Sequence, residues 1–250
     1  GGDFTTIGGS SRNRIAAIDL GTGLASTWNP NSDGSVESLA IHGSSLYISS
    51  SNMKQIGGAG RIALAAIDLS TGVATAWNPN PRGGAAVVAS DGSKIFAGGS
   101  FLGIGSQAKS FLVAVDATTG ADVNWKPNAN WDINTLGVSG TNLIVGGNYN
   151  VIGSAVRASL AALDLTTAVA TSWNPGSGFS PVFASIVDGG TVYVGGQFST
   201  IGGASRSNLA AISISSGLAT SWNPGVNSSV SAIAKGASTL YVGGGYFTTA

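Results

Sequence analysis

Few residues in this chain are able to do chemistry. His42 is the single histidine, Glu37 the single glutamate, and cysteine is absent. A Ser–His–Asp arrangement would have to use His42. It closes the short run "VESLAIH" with no partner elsewhere in the chain and reads as a solvated turn residue. No G-x-S-x-G, metal-ligand cluster or Asp-rich calcium loop is present. Glycoside hydrolysis usually needs paired carboxylates, which a lone glutamate disfavours. "GAGRIA" (58–63) matches G-x-G-x-x-A, but a strand-like run follows it and not a helix, so it lacks the context of a dinucleotide site. Without cysteine there is no disulfide framework, thiolate zinc site or sulfur nucleophile. The chain is thus expected to be no enzyme, with no catalytic residue, no metal and no cofactor.

The residues that do recur are structural in type. Trp28, Trp77, Trp125, Trp173 and Trp222 stand 49, 48, 48 and 49 residues apart. Each ends a phrase such as "TGVATAW", and proline follows two residues later at 30, 79, 127, 175 and 224. Nine residues before each tryptophan comes Asp19, Asp68, Asp116, Asp164 or Ser213. Seven residues before that comes a cation: Arg12, Arg61, Lys109, Arg157 or Arg206. The matched spacing predicts an ion pair in each repeat, with Arg61–Asp68 and Arg157–Asp164 as examples. Arg206, which faces Ser213, is expected to find another carboxylate or to point to solvent. One tryptophan per repeat at fixed register reads as a packing wedge, with a ring of sugar-stacking platforms as the alternative. The proline should stop its strand and protect an outer edge.

These residues need a frame, and the period supplies it. Each unit holds four strand-type runs: a ("AAVVAS"), b ("KIFAGG"), c ("IALAAIDL") and d ("GVATAWNP"). Four strands in about 49 residues, five times over, are the signature of a β-propeller blade. The expected fold is all-β: a single propeller domain over 1–250, of five four-stranded blades. The chain opens in c and d and ends in a and b, so the termini should interlock in one sheet and remove the free edges. The tail "GGYFTT" nearly repeats the head "GGDFTT", which favours the alternative that the chain is part of a longer array. The doublets Gly98–Gly99, Gly146–Gly147, Gly195–Gly196 and Gly243–Gly244 close strand b and permit a bulge.

The unit "GGxFxxIGGxxRxxLAAIDxxTGxxxxWNPN…VxxLAxxGxxLYVGG" resembles the delta-60 type of β-propeller repeat over the whole chain, best at 1–43. That family occurs in tandem in large bacterial, often surface-exposed, proteins. The resemblance implies a propeller from a secreted multidomain parent and assigns no activity or site residues. "AIDLSTGVATAW" also looks like strands c and d of quinoprotein propellers, but the acidic metal ligands and arginine of those enzymes find no match here.

Composition narrows the partners. The formal net charge is zero and charged residues are 9%, which argues against nucleic acid and against a polybasic membrane anchor. No run has the length and apolarity of a membrane helix. Abundant Ser, Thr, Asn and Gly give the look of an exported, bacterial cell-surface protein. A protein or glycan partner is expected on the face built by the long b–c and the variable d–a connections. There Trp131, Asp132 and Phe179 break the repeat and are the candidate binding residues. Three functions follow in order: a non-catalytic scaffold or adhesion module, a five-bladed lectin, and an enzyme of glycosidase or quinoprotein type.

Overall fold

The computed structural model describes residues 1–248, which contain strands, turns and no helix. No helix among them is long and apolar enough to cross a membrane. Backbone contacts group the chain, read from its sequence as one domain, into two compact units, Gly1–Asn124 and Trp125–Ala250. Unit one holds two three-stranded antiparallel sheets in the order a-b-c. These are Ser38–His42, Ser45–Ser49 and Leu64–Asp68, then Ala85–Ser90, Lys94–Gly99 and Leu112–Asp116. Unit two repeats the plan with Ile133–Ser139, Asn142–Gly147 and Leu160–Asp164, then Val182–Asp188, Thr191–Gly196 and Leu209–Ser213. It adds a two-stranded sheet, Val230–Lys235 with Leu240–Gly244. The architecture is all-β and propeller-like.

Alternation sets the faces of these strands. The c strands LAAID, LVAVD, LAALD and LAAIS are buried over their first four residues, and apolar residues run continuously along them, as in strands covered on both faces. Seams between successive sheets are apolar. Tyr47, Trp77, Ile95 and Val113 share one cluster in unit one, and Ile144, Trp173, Val194 and Ile212 share one in unit two. Strands a of successive sheets are also joined. The Val88 amide donates to Ser38 Oγ, and Thr135 Oγ1 lies 2.9 Å from Ser185 Oγ. The glycine doublets hold bulges as expected: Ala85 faces Gly99 while Val87 faces Gly98, skipping one residue. The first a strand pairs with "YISS", which has no such doublet, and its register is unbroken.

Two expectations need correction. Segment d is not a full strand. It makes a single bridge to c, at Ala25, Ala74, Asp122, Ala170 or Ala219. Its other edge is taken by the b–c connection, which is not a free loop. That connection folds into a two-residue-per-arm hairpin, as in Gln55–Ile56 with Ala59–Gly60, and the Ala74 amide donates to Gly57 O at 2.9 Å. Gly57 and Gly58 both have positive φ, the requirement of a tight type I′ turn. A Cβ on Gly57 would also stand 2.4 Å from Ala74 N. Among the described residues the last sheet holds Val230–Lys235 and Leu240–Gly244, and residues 15–20 make one isolated bridge, Ile18 to Ala25.

Candidate functional site

The repeated residues prove to be clamps. Indole N–H groups of Trp28, Trp77, Trp125 and Trp173 donate to the backbone carbonyls of Asp68, Asp116, Asp164 and Ser213, each in the next repeat, at 2.9–3.2 Å. Trp77 is 2% exposed. Two residues on, Pro30, Pro127 and Pro175 offer their carbonyls to the hairpin amides of Gly57, Gly153 and Gly202 at 2.5–2.7 Å. The phrase W-N-P thus grips the following repeat at two points, with a buried proline and not an edge-guarding one.

The expected arginine–aspartate pairs do not form. Arg61 donates through one guanidinium nitrogen to Thr75 O, in its own segment d, and through the other to Gly60 O. Arg12, Arg157 and Arg206 do the same to Ser26, Thr171 and Thr220. Arg206 therefore needs neither a carboxylate nor solvent. The Nε of all four is buried without an acceptor. Asp68 instead accepts the amides of Ser70 and Thr71 and both their hydroxyls, closing the c–d turn. Those hydrogen bonds, the Ser70 hydroxyl first, lower its pKa to about 2. Asp19 and Asp116 are lowered by the same kind of turn, chiefly by their bonds to Thr22 and Thr119. The third repeat differs. Lys109 cannot fork like arginine, and its Nζ pairs with Asp122 Oδ1 at 3.0 Å, both side chains largely buried.

The candidate binding residues lie on the d–a connections, which do share a face with the b–c connections. Asn130 Oδ1 accepts the amides of Asn150 and Val151, and Asp33 Oδ1 those of Lys54 and Gln55, so these two d–a connections are pinned to hairpins. Trp131 is 57% exposed and Phe179 66% exposed. They occupy the same register in successive repeats, six residues after Trp125 and Trp173. Asp132 is half-buried, and its backbone carbonyl accepts the Asn148 amide. His42 is exposed, and Glu37 Oε1 accepts the Ser51 amide. No group of three or more His, Cys, Asp or Glu side chains that could hold a metal occurs among the described residues.

Sequence reasoning missed one feature. On the loop face of unit one lies a groove of about 580 Å³, within the range of ligand sites. Met53, Ile62 and Ala63 give it apolar walls; Lys54, Asn78 and Asn80 add one ammonium and two carboxamides. Gly83 lines it at the register that carries Trp131 and Phe179 in the next two repeats. Its φ of 126° suits glycine, and a Cβ there would lie 2.8 Å from Phe101 Cα. The signal was present in the sequence as "RGG" in place of an aromatic. The groove can hold a ligand by apolar contact and amide hydrogen bonds.

No protein-family profile matches the chain, and no curated protein matches it. Among solved structures, it is similar to the computationally designed Ika8 protein, at 13% identity and a TM-score of 0.63, over 93% of this chain and 64% of that one. It is also similar to a chain of the mitotic checkpoint complex, at 15% identity and a TM-score of 0.57, over 84% of this chain and 57% of that one. The chain thus spans less than two thirds of either. At such identities the likeness speaks for the β-propeller fold alone.

Proposed function

We propose that the chain is a non-catalytic interaction module: a scaffold or adhesion unit of an exported cell-surface protein. Its partner sits on the face of the b–c and d–a connections. The observation that carries this reading is the groove beside Met53, Ile62 and Asn80. Apolar walls, carboxamides and a single ammonium on a rigid repeated frame suit recognition of a neutral protein or glycan surface. The resemblance to tandem delta-60 repeats and the composition, rich in Ser, Thr, Asn and Gly, support export. The test is adhesion of cells to beads coated with the chain, compared with beads carrying Ile62→Glu. Adhesion by the parent that falls at least tenfold in the variant, at equal melting temperature, supports the reading. No adhesion by the parent, or equal adhesion by both, overturns it.

A second reading, a glycan-binding lectin, is favoured by the exposed rings of Trp131 and Phe179 at matching register. A planar ring stacks on a sugar face while a carboxylate such as that of Asp132 accepts hydroxyl hydrogens. Binding at one such site is expected to be on the order of millimolar, about −4 kcal/mol. Tryptophan fluorescence titrated with a panel of soluble glycans should respond in the intact chain and not in Trp131→Ala. An identical response from both, or none, removes the lectin reading at this site.

A further inference from the structure

The groove beside Met53 lies where the second repeat lacks contacts that its counterparts make. Its walls are the lead into strand c and the d–a connection of the same repeat. In the first repeat these two segments are bridged by side chains. Asn13, at the Ile62 register, donates through Nδ2 to Oδ1 of Asn31, at the Asn80 register, at 2.6 Å. At the Ala63 register, Arg14 donates to Ser32 O, and in the last repeat Asn208 donates to Val226 O. Both bonds cross to the d–a connection. In the third repeat Phe111 holds that register with a ring. Ile62 and Ala63 have no donor with which to bridge. Ile62 is instead 47% exposed, and the Asn80 carboxamide has no hydrogen bond to a described residue. Met53 departs from the repeat as well, since its register carries Phe4, Phe101, Tyr149 and Phe198 in the other copies.

Charge and shape select the occupant. Lys54 is the one charged residue that lines the groove, at a register held by Thr5, Leu102, Asn150 and Ser199 in the other copies. The Asp33 carboxylate takes the Lys54 backbone amide, yet Lys54 Nζ forms no ion pair with a described residue. An open ammonium beside apolar walls is complementary to an anion carried on an apolar body. None of the lining side chains is aromatic, so the groove offers no ring to stack on a sugar face. We infer that the groove takes the C-terminus of a polypeptide whose last side chain is aliphatic, such as leucine. The terminal carboxylate pairs with Lys54 Nζ. The aliphatic side chain packs against Met53, Ile62 and Ala63, and the last peptide groups bond to the carboxamides of Asn78 and Asn80. This narrows the interaction reading above and rests on its premise that the partner seats in this groove.

The test is calorimetric titration with the peptide acetyl-Gly-Thr-Ser-Leu, bearing a free carboxylate, and with the same peptide ending in a carboxamide. The carboxylate form should bind saturably, and the carboxamide form about tenfold more weakly or worse. Lys54→Gln should weaken the carboxylate form about tenfold and leave the two peptides equal. Lys54→Arg should keep the preference. Ala63→Phe should abolish binding of both at an unchanged melting temperature. The fold accepts that residue, since Phe111 holds the same register at a φ of 65°, against 57° for Ala63. No binding of the carboxylate peptide, equal binding of the two by the parent, or binding that survives Ala63→Phe overturns the inference. So does binding of chitotriose, abolished by Ala63→Phe, in a chain that takes no peptide. Bead adhesion lost in Ile62→Glu without any peptide binding overturns the terminal carboxylate and leaves the interaction reading in place. Peptide binding without bead adhesion overturns the adhesion reading and supports the inference.

Discussion

Lys109 stands where the other four repeats carry arginine, and Asp122 where they carry alanine. The two changes form one unit. An ammonium in a largely buried place needs a charged partner, and Asp122 lies 3.0 Å away. Asp122→Ala should cost about 3–5 kcal/mol in denaturant unfolding, because it takes the paired carboxylate away from a largely buried ammonium. Lys109→Arg with Asp122→Ala restores the pattern of the other repeats and should recover most of that loss. The turn aspartates give a second expectation. Asp19, Asp68 and Asp116 titrate below the ordinary value of 3.8 when folded. Their stabilisation is complete above that value and is lost as pH falls through the folded pKa, about 2 for Asp68. The melting temperature should therefore fall between about pH 4 and pH 2, and Asp68→Asn should flatten that slope. An unchanged slope in the variant would show that the acid sensitivity lies elsewhere.

At the scale of the element, the hairpin between strands b and c is the device that holds segment d. Segment d, after its single bridge, bends toward W-N-P, where proline lacks an amide for a ladder. The hairpin supplies the missing partner through its first turn glycine. Gly57 and Gly58 test this, since both have positive φ. A Cβ on Gly57 would meet the Ala74 amide at 2.4 Å, while one on Gly58 meets nothing within 4 Å. Gly58→Ala should cost about 1 kcal/mol, the strain of a left-handed residue. Gly57→Ala should cost clearly more, about 2–4 kcal/mol, because backbone must move as well. Equal midpoints in urea for the two variants would mean that the hairpin does not clamp segment d.

At the scale of the whole molecule, stability is a chain of neighbour contacts, as expected of repeats. Strands Lys94–Gly99 and Leu112–Asp116 are buried almost throughout. The strands Val230–Lys235 and Leu240–Gly244 are half-exposed or exposed along most of their length. Amide hydrogen exchange should therefore be slowest in the b and c strands at 94–99, 112–116, 142–147 and 160–164. It should be fastest at 15–20 and 230–244, with opening of those segments below the global unfolding energy. Uniform protection across all five repeats would contradict this ordering.

The sequence by itself determined the period, the a, b and c strands, the bulges opposite glycine doublets, and the shared face of the b–c and d–a connections. Each is written in residue types that recur in step, and alternation of apolar side chains has only one burial solution in a stack of sheets. Tertiary structure alone decided what the polar residues of the repeat touch. Arg61 and Asp68 look complementary at a spacing of seven, yet both bind backbone, and a carbonyl such as that of Thr75 has no signature in residue types. The same holds for the tryptophan clamp, whose acceptors lie about 40 residues away and are main-chain oxygens. Lys109 pairs with Asp122 and not, as the spacing of seven predicts, with Asp116, although both departures from the repeat stand in the same copy. The groove arises where Gly83 removes the ring that Trp131 and Phe179 supply, and its walls come from segments about 30 residues apart that only folding brings together.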